Sequence, residues 1–308
     1  MRINRASCVL AGLMLMTSWA HAVDVTFQAV APNVYAYVGD TEGRTYDNEA
    51  LNANIGLVVT PQGAVLIDSG ASFQGARQIA EAAKRVTPQP IKWVINTGGQ
   101  DHRWLGNGYF KAQGAEIMAH ANAEADMKAR GPEHLSVNAA VLKEKMAGTE
   151  IVLPIRWLKD ADTTLNLGGT TLQVVHRQGG HTPGDSMVWL PSSGVVFTGD
   201  VVYVDRILGL ISVSKTKTWV ASFQALEALN PKIVVPGHGK VTHLAQAQKD
   251  TGQLLIALRA AMGKAVEAGT DISLAVKSFD AAPYKHLKHV DVWLPQLANR
   301  TYLEMEQE

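Results

Sequence analysis

The chain has 308 residues, with 28 basic and 28 acidic side chains and a single cysteine, Cys8. That length suits one large domain or one domain with an appendage, and one cysteine excludes a disulfide framework. No basic stripe with interleaved aromatics is present, which argues against nucleic acid or an anionic membrane surface as a partner.

The first predicted element is a leader. Arg2 and Arg5 precede an apolar run over residues 8–16, and Ala20-His21-Ala22 supplies small residues where a signal peptidase reads. The pattern predicts a signal peptide over residues 1–22 and a periplasmic or secreted protein. The apolar run is about half of the ~20 residues a spanning helix needs, so no membrane association is expected after cleavage. Cleavage also removes Cys8, so no thiolate remains as nucleophile or metal ligand.

Beyond the leader, short apolar runs predict strands at residues 34–38, 55–59 and 64–67, the last two joined by a turn at Pro61-Gln62-Gly63. Residues 73–86 have helical spacing. A buried strand is predicted at 91–95, a helix at 105–111, a strand at 115–119 and a helix at 121–130. Hairpins follow at 163–167 with 171–175, turning on Gly168-Gly169, and at 187–190 with 195–197. Residues 219–229 form an amphipathic helix and 233–235 a short buried strand. From residue 244 the chain reads as helical. Two strand-rich halves bracketed by helices predict an α/β fold, a four-layer αββα sandwich over residues 23–245. The helical extension, residues 246–308, is expected to pack on it or to make an oligomer contact.

Three segments share one form: a strand-like run, a glycine, then a side chain able to bind metal. They are Gly179-Gly180-His181-Thr182-Pro183-Gly184-Asp185, Phe197-Thr198-Gly199-Asp200 and Val235-Pro236-Gly237-His238-Gly239. Strand ends gather at one edge of an α/β sheet, where ligands bind. Imidazole and carboxylate together suit zinc, iron or manganese.

At these residues the chain resembles the metallo-β-lactamase-fold hydrolases, and the resemblance runs from about Val34 to Thr242. Asn54-Ile55-Gly56 and Leu66-Ile67-Asp68-Ser69-Gly70 are similar to that family's early strands. The resemblance implies that His181 binds one metal, that Asp200 bridges two and that His238 binds the other. It gives Asp68 the role of orienting a ligand or loop from behind. The family's leading signature, Asn-Thr-His-x-His-x-Asp-His before a Gly-Asn, is altered. Here the chain reads Asn96-Thr97-Gly98-Gly99-Gln100-Asp101-His102-Arg103-Trp104-Leu105-Gly106-Asn107. With both flanks held, Gly98 and Gln100 replace two histidines, His102 takes the Asp position and Arg103 the last His position. A one-residue shift instead keeps Asp101-His102 as the Asp-His pair. The ungapped register is preferred, because Gly106-Asn107 should start the next helix at a fixed distance.

Either register depletes one metal position, leaving it His181, Asp200 and the amide oxygen of Gln100. The other keeps His102 or Asp101 with Asp200 and His238, three protein ligands and an open coordination position. One zinc is therefore expected, with a second site weak or empty. The expected function is metal-assisted hydrolysis of a small-molecule ester, thioester, lactone or β-lactam. Asp101 orients or deprotonates the attacking water, Arg103 holds a substrate carboxylate, and the polar loop over residues 39–52 serves as a flap. The rival expectation is a catalytically impaired binding protein that retains the pocket. Residues 297–304 are also similar to the ends of periplasmic members associated with quinoprotein and sulfur-oxidation systems.

Overall fold

The structure, a computed structural model, describes residues 23–308; the expected leader lies outside the described residues. These residues build two sheets. The first has seven strands in chain order, β1 (Gln28–Ala31), β2 (Val34–Tyr37), β3 (Ile55–Thr60), β4 (Gly63–Ile67), β5 (Ile91–Asn96), β6 (Glu116–His120) and β7 (Arg156–Leu158). The second has five, β8 (Asp162–Leu167), β9 (Thr170–His176), β10 (Ser186–Leu190), β11 (Val195–Phe197) and β12 (Ile233–Val235), ordered β12-β11-β10-β9-β8 in space. Strands β4 to β7 run parallel, as do β11 and β12, and the remaining pairs are antiparallel.

The helices are α1 (Phe73–Val86), α2 (Asp101–Trp104), α3 (Asn107–Ala112), α4 (Glu124–Leu142), α5 (Thr216–Leu229), α6 (Leu244–Ala247), α7 (Gln253–Glu267), α8 (Ile272–Ser278) and α9 (Val290–Met305). Alternation of buried side chains along the strands separates three cores. Val58, Ile67 and Ile95 of the first sheet meet Leu172, Val188 and Phe197 of the second, which is the sandwich interior. The outer face of the first sheet packs Leu57, Leu66 and Val94 against Ala76, Ile79 and Ala83 of α1. Small residues on α1 allow close approach, and Ser72 caps its start by accepting from Gly75 N. The outer face of the second sheet carries Trp219 and Phe223 of α5 with Leu255, Leu258, Leu294 and Tyr302 of the C-terminal helices. Four layers result, αββα. Among the described residues no helix is long and apolar enough to cross a membrane.

Two strands, the short helix α2 and one helix length differ from the sequence expectation. β1 and β7 are the outermost strands of the first sheet, half-exposed, and so lack the apolar run that marks a central strand. Helix α4 continues past Gly131-Pro132 to Leu142. Met127, His134, Asn138 and Leu142 are buried along it, and that packing outweighs the hydrogen bond lost at Pro132.

Candidate metal centre

The C-terminal ends of β5, β11 and β12 converge, because β5 runs in the parallel part of its sheet and β11 lies parallel to β12. Each end opens into a turn: Thr97 to Gln100, Thr198 to Asp200, and Pro236 to His238. The sheets are stitched together there. Ser186 N donates to Thr97 O at 2.7 Å, and Asn54 Nδ2 donates to Pro236 O and Gly239 O at 2.8 Å each. Beyond the turn, Asn96 and Asn107 hydrogen-bond through their side chains at 2.9 and 3.1 Å. That contact holds the flanks of the altered signature at a fixed separation.

His102, Asp200 and His238 come together, all buried, with one nitrogen or carboxylate oxygen from each lying within 4.8 Å of the others. His102 Nε2 is 3.2 Å from Asp200 Oδ2, and His238 Nε2 is 3.3 Å from Asp200 Oδ1. The far nitrogen of each ring faces an acceptor. His238 Nδ1 is 2.8 Å from Asn52 O, and His102 Nδ1 is 3.2 Å from Asp101 Oδ1. Each ring therefore turns its Nε2 edge inward toward Asp200. Burial pushes the His238 pKa down to about 3, so its ring is neutral. Burial opposes charge on His102 too, yet the Asp200 carboxylate and the hydrogen bonds to Asp101 and Asp200 raise it. Burial would raise Asp200, but Arg103 and His102 hold it well below the usual carboxylate range.

Arg103 corrects one expectation. Its side chain is 1% exposed, and all five N–H groups are taken. Nε donates to Asp200 Oδ2 at 3.3 Å, Nη1 to Asn54 O at 3.2 Å and Asp68 Oδ2 at 3.0 Å, and Nη2 to Asp200 Oδ1 at 2.6 Å and Gly237 O at 3.2 Å. No donor remains for a substrate carboxylate. Asp68, which also accepts from Thr97 N at 2.7 Å, supports Arg103 and the turn at Thr97.

Asp101 is likewise placed differently from its expected role as base. Its carboxylate lies on the opposite side of the His102 ring from Asp200, because the two ring nitrogens face the two carboxylates. It accepts from Arg44, from Asn138 Nδ2 at 2.7 Å and from Gln100 Nε2 at 3.1 Å. Gln100 Oε1 accepts from Arg130 Nη1 at 3.2 Å, and its Nε2 donates to Asp101. His181 stands apart from the three-residue group. Its Nδ1 is 3.0 Å from Gly209 O, and burial pushes its pKa down to about 4. The loop over residues 39–52 is pinned and not a free flap: Arg44 grips Asp101, Tyr46 grips Glu144, and Lys288 grips Glu42.

The space around the missing histidines is filled. A Cβ on Gly98 would meet Asp185 Oδ1 at 2.4 Å, and one on Gly99 would meet Asp126 Oδ2 at 2.3 Å. Burial, with the nearby Asp200 charge, pushes the Asp185 carboxyl up to about 7 from 3.8. The unfolded chain releases this proton near pH 4 and the folded chain near pH 7. The unfolded state therefore gains the advantage across that window, and the contribution of Asp185 to stability falls as pH rises through it. Urea unfolding of the metal-free protein is expected to show this fall, by up to about 4 kcal/mol, and Asp185→Asn is expected to lose it. Equal pH slopes in the two proteins would refute the assignment.

Sequence reasoning missed Tyr203. Its ring stacks on His238 at 4.8 Å and meets His181 edge-on at 6.2 Å. Burial and the Asp200 charge raise its pKa well above 10, so the phenol keeps its proton. The available signal was a tyrosine inside the apolar run Val201-Val202-Tyr203-Val204 directly after Asp200.

The donor set fits a divalent cation. Arg103 lies between the buried carboxylates of Asp68 and Asp200, and the Nε2 atoms of two imidazoles face the second of these. Two nitrogens and a carboxylate suit zinc, and also iron or manganese. The chain is 28% identical over 224 residues to a Metallo-beta-lactamase type 2 of Bacillus sp. (strain 170), covering 70% of this chain and 77% of that relative. It is 27% identical over 210 residues to the Acyl-coenzyme A thioesterase MBLAC2 of Homo sapiens, covering 60% of this chain and 72% of that protein. The solved structure of the sec-alkylsulfatase Pisa1 from Pseudomonas sp. has the same fold, with a TM-score of 0.72 at 15% identity over 90% of this chain and 50% of that one. The family model of the Metallo-beta-lactamase superfamily matches residues 48–238. With more than half of its length matched, the chain belongs to the metallo-beta-lactamase superfamily.

Proposed function

We propose that the protein is an exported hydrolase in which His102, Asp200 and His238 hold one divalent cation, zinc by its donor set. Its substrate is a small molecule with an ester, thioester, lactone or β-lactam carbonyl. The observation that carries this reading is the three-residue group with both imidazoles turned Nε2-inward. The relatives support hydrolysis, one being a thioesterase and another a β-lactamase by name. A divalent cation held there polarises a carbonyl and lowers the pKa of a water.

The chain's own groups do the rest. Arg103 keeps Asp200 ionised and fixed through two hydrogen bonds. Tyr203, whose phenol keeps its proton at neutral pH, backs the His238 ring. The neutral His181 ring offers a polar contact on the same side.

Metal analysis of the purified mature protein tests the reading. About one zinc per chain is expected, lost in His238→Ala, together with turnover in a screen of thioesters, lactones and a chromogenic cephalosporin. A wild-type chain that takes up no metal on reconstitution would point to a non-catalytic binding protein instead.

A further inference from the structure

The carboxylate of Asp101 and the guanidinium of Arg44 have no part in the chemistry above, yet both are committed to one place. We propose that Asp101 is a positioning residue for His102, and that Arg44 ties the loop over residues 39–52 to the metal centre through it. The inference rests on His102, Asp200 and His238 being the metal-holding group.

His102 is clamped between two carboxylates. Nε2 lies 3.2 Å from Asp200 Oδ2 and Nδ1 lies 3.2 Å from Asp101 Oδ1. A carboxylate behind a ligating imidazole fixes the ring and its tautomer, and raises its basicity toward the metal. Asp101 can do this only if it is itself held, and it is. Its oxygens accept from Arg44, from Asn138 Nδ2 at 2.7 Å, from Gln100 Nε2 at 3.1 Å and from His102 N at 2.9 Å. Asp101 is 1% exposed, whereas the Arg44 side chain is 27% exposed, so the chain of contacts runs from the surface to the ligand.

The same loop reaches the other histidine. Asn52 O lies 2.8 Å from His238 Nδ1. One loop therefore stands behind both imidazoles, directly at His238 and through Asp101 at His102. Its outer side is anchored by Lys288 of the C-terminal extension, which pairs with Glu42, and by Arg206, whose Nη1 donates to Glu42 O at 3.3 Å. Seating of this loop and the geometry of the metal ligands form a single unit.

The test measures Zn²⁺ affinity by competition with a chromophoric chelator, and the visible spectrum of the Co²⁺-loaded protein. It compares the wild type with Asp101→Ala, Asp101→Asn and Arg44→Ala. Asp101→Ala is expected to weaken Zn²⁺ binding about 10–100-fold. Asp101→Asn is expected to weaken it less, because an amide oxygen still accepts from Nδ1–H, and Arg44→Ala by a smaller factor again. The Co²⁺ bands should shift in the same order, which a purely structural role would not produce. Should Asp101→Ala fail to fold, the near-isosteric Asp101→Asn and the partly exposed Arg44→Ala decide the matter. Affinities and spectra unchanged in both, beside a wild type that binds metal, overturn this inference and leave the proposed function standing. A wild type without metal affinity overturns both.

Discussion

Replacing Arg103 by methionine is expected to lower the stability of the metal-free protein by about 3–5 kcal/mol, read as the urea midpoint at constant m-value. The guanidinium sits between Asp68 and Asp200 and makes hydrogen bonds with all five N–H groups. Methionine fills much of the same volume but takes the guanidinium counter-charge away from two buried carboxylates, and leaves two carbonyl oxygens, of Asn54 and Gly237, without that donor. An uncompensated buried charge is among the most destabilising single changes. Arg103→Lys is not expected to restore the loss, because an ammonium offers three donors from one point and cannot span both carboxylates. Asp68→Asn in the Arg103→Met background should recover part of it by removing one of the two charges. A loss below about 1 kcal/mol would show that the desolvation of Arg103 cancels its pairing.

Putting histidine back at positions 98 and 100 is expected not to create a second metal site. The Cβ of Gly98→His would come within 2.4 Å of Asp185 Oδ1. That carboxylate cannot swing aside cheaply, since it accepts from Thr182 N at 2.8 Å and Thr182 Oγ1 at 2.5 Å. At position 100 a histidine would displace the amide that bridges Arg130 and Asp101. The double variant should hold about one zinc, like the wild type, and be less stable by roughly 1–3 kcal/mol from overpacking. Two tightly held zinc ions in the variant would show that the region relaxes to the two-metal form and that Asp185 is no barrier.

Much of this molecule is legible from residue order. The strand at β5, the hairpin of β3 and β4 and the helix Phe73–Val86 follow from apolar periodicity and turn residues, and all are present. Asp200 and His238 were readable as neighbours because each follows a short buried strand and a glycine, and parallel strands bring such ends together. The roles of Arg103, Asp101 and Gln100 were not readable. Local spacing sets strand ends and turns within a few residues, whereas these side chains are placed by partners far along the chain. Arg103 meets Asp68 across 35 positions and Asp200 across 97, and Arg44 meets Asp101 across 57. An arginine beside a metal ligand looks like a substrate-binding group until the fold surrounds it with two carboxylates and two carbonyls. An aspartate beside it looks like a base until the His102 ring stands between it and Asp200. Periodicity and turn chemistry act through the backbone of consecutive residues and so are written locally. Burial and charge pairing depend on which distant groups the packed sheets bring within 3 Å or so of each other, and that is where the altered signature acquired its meaning.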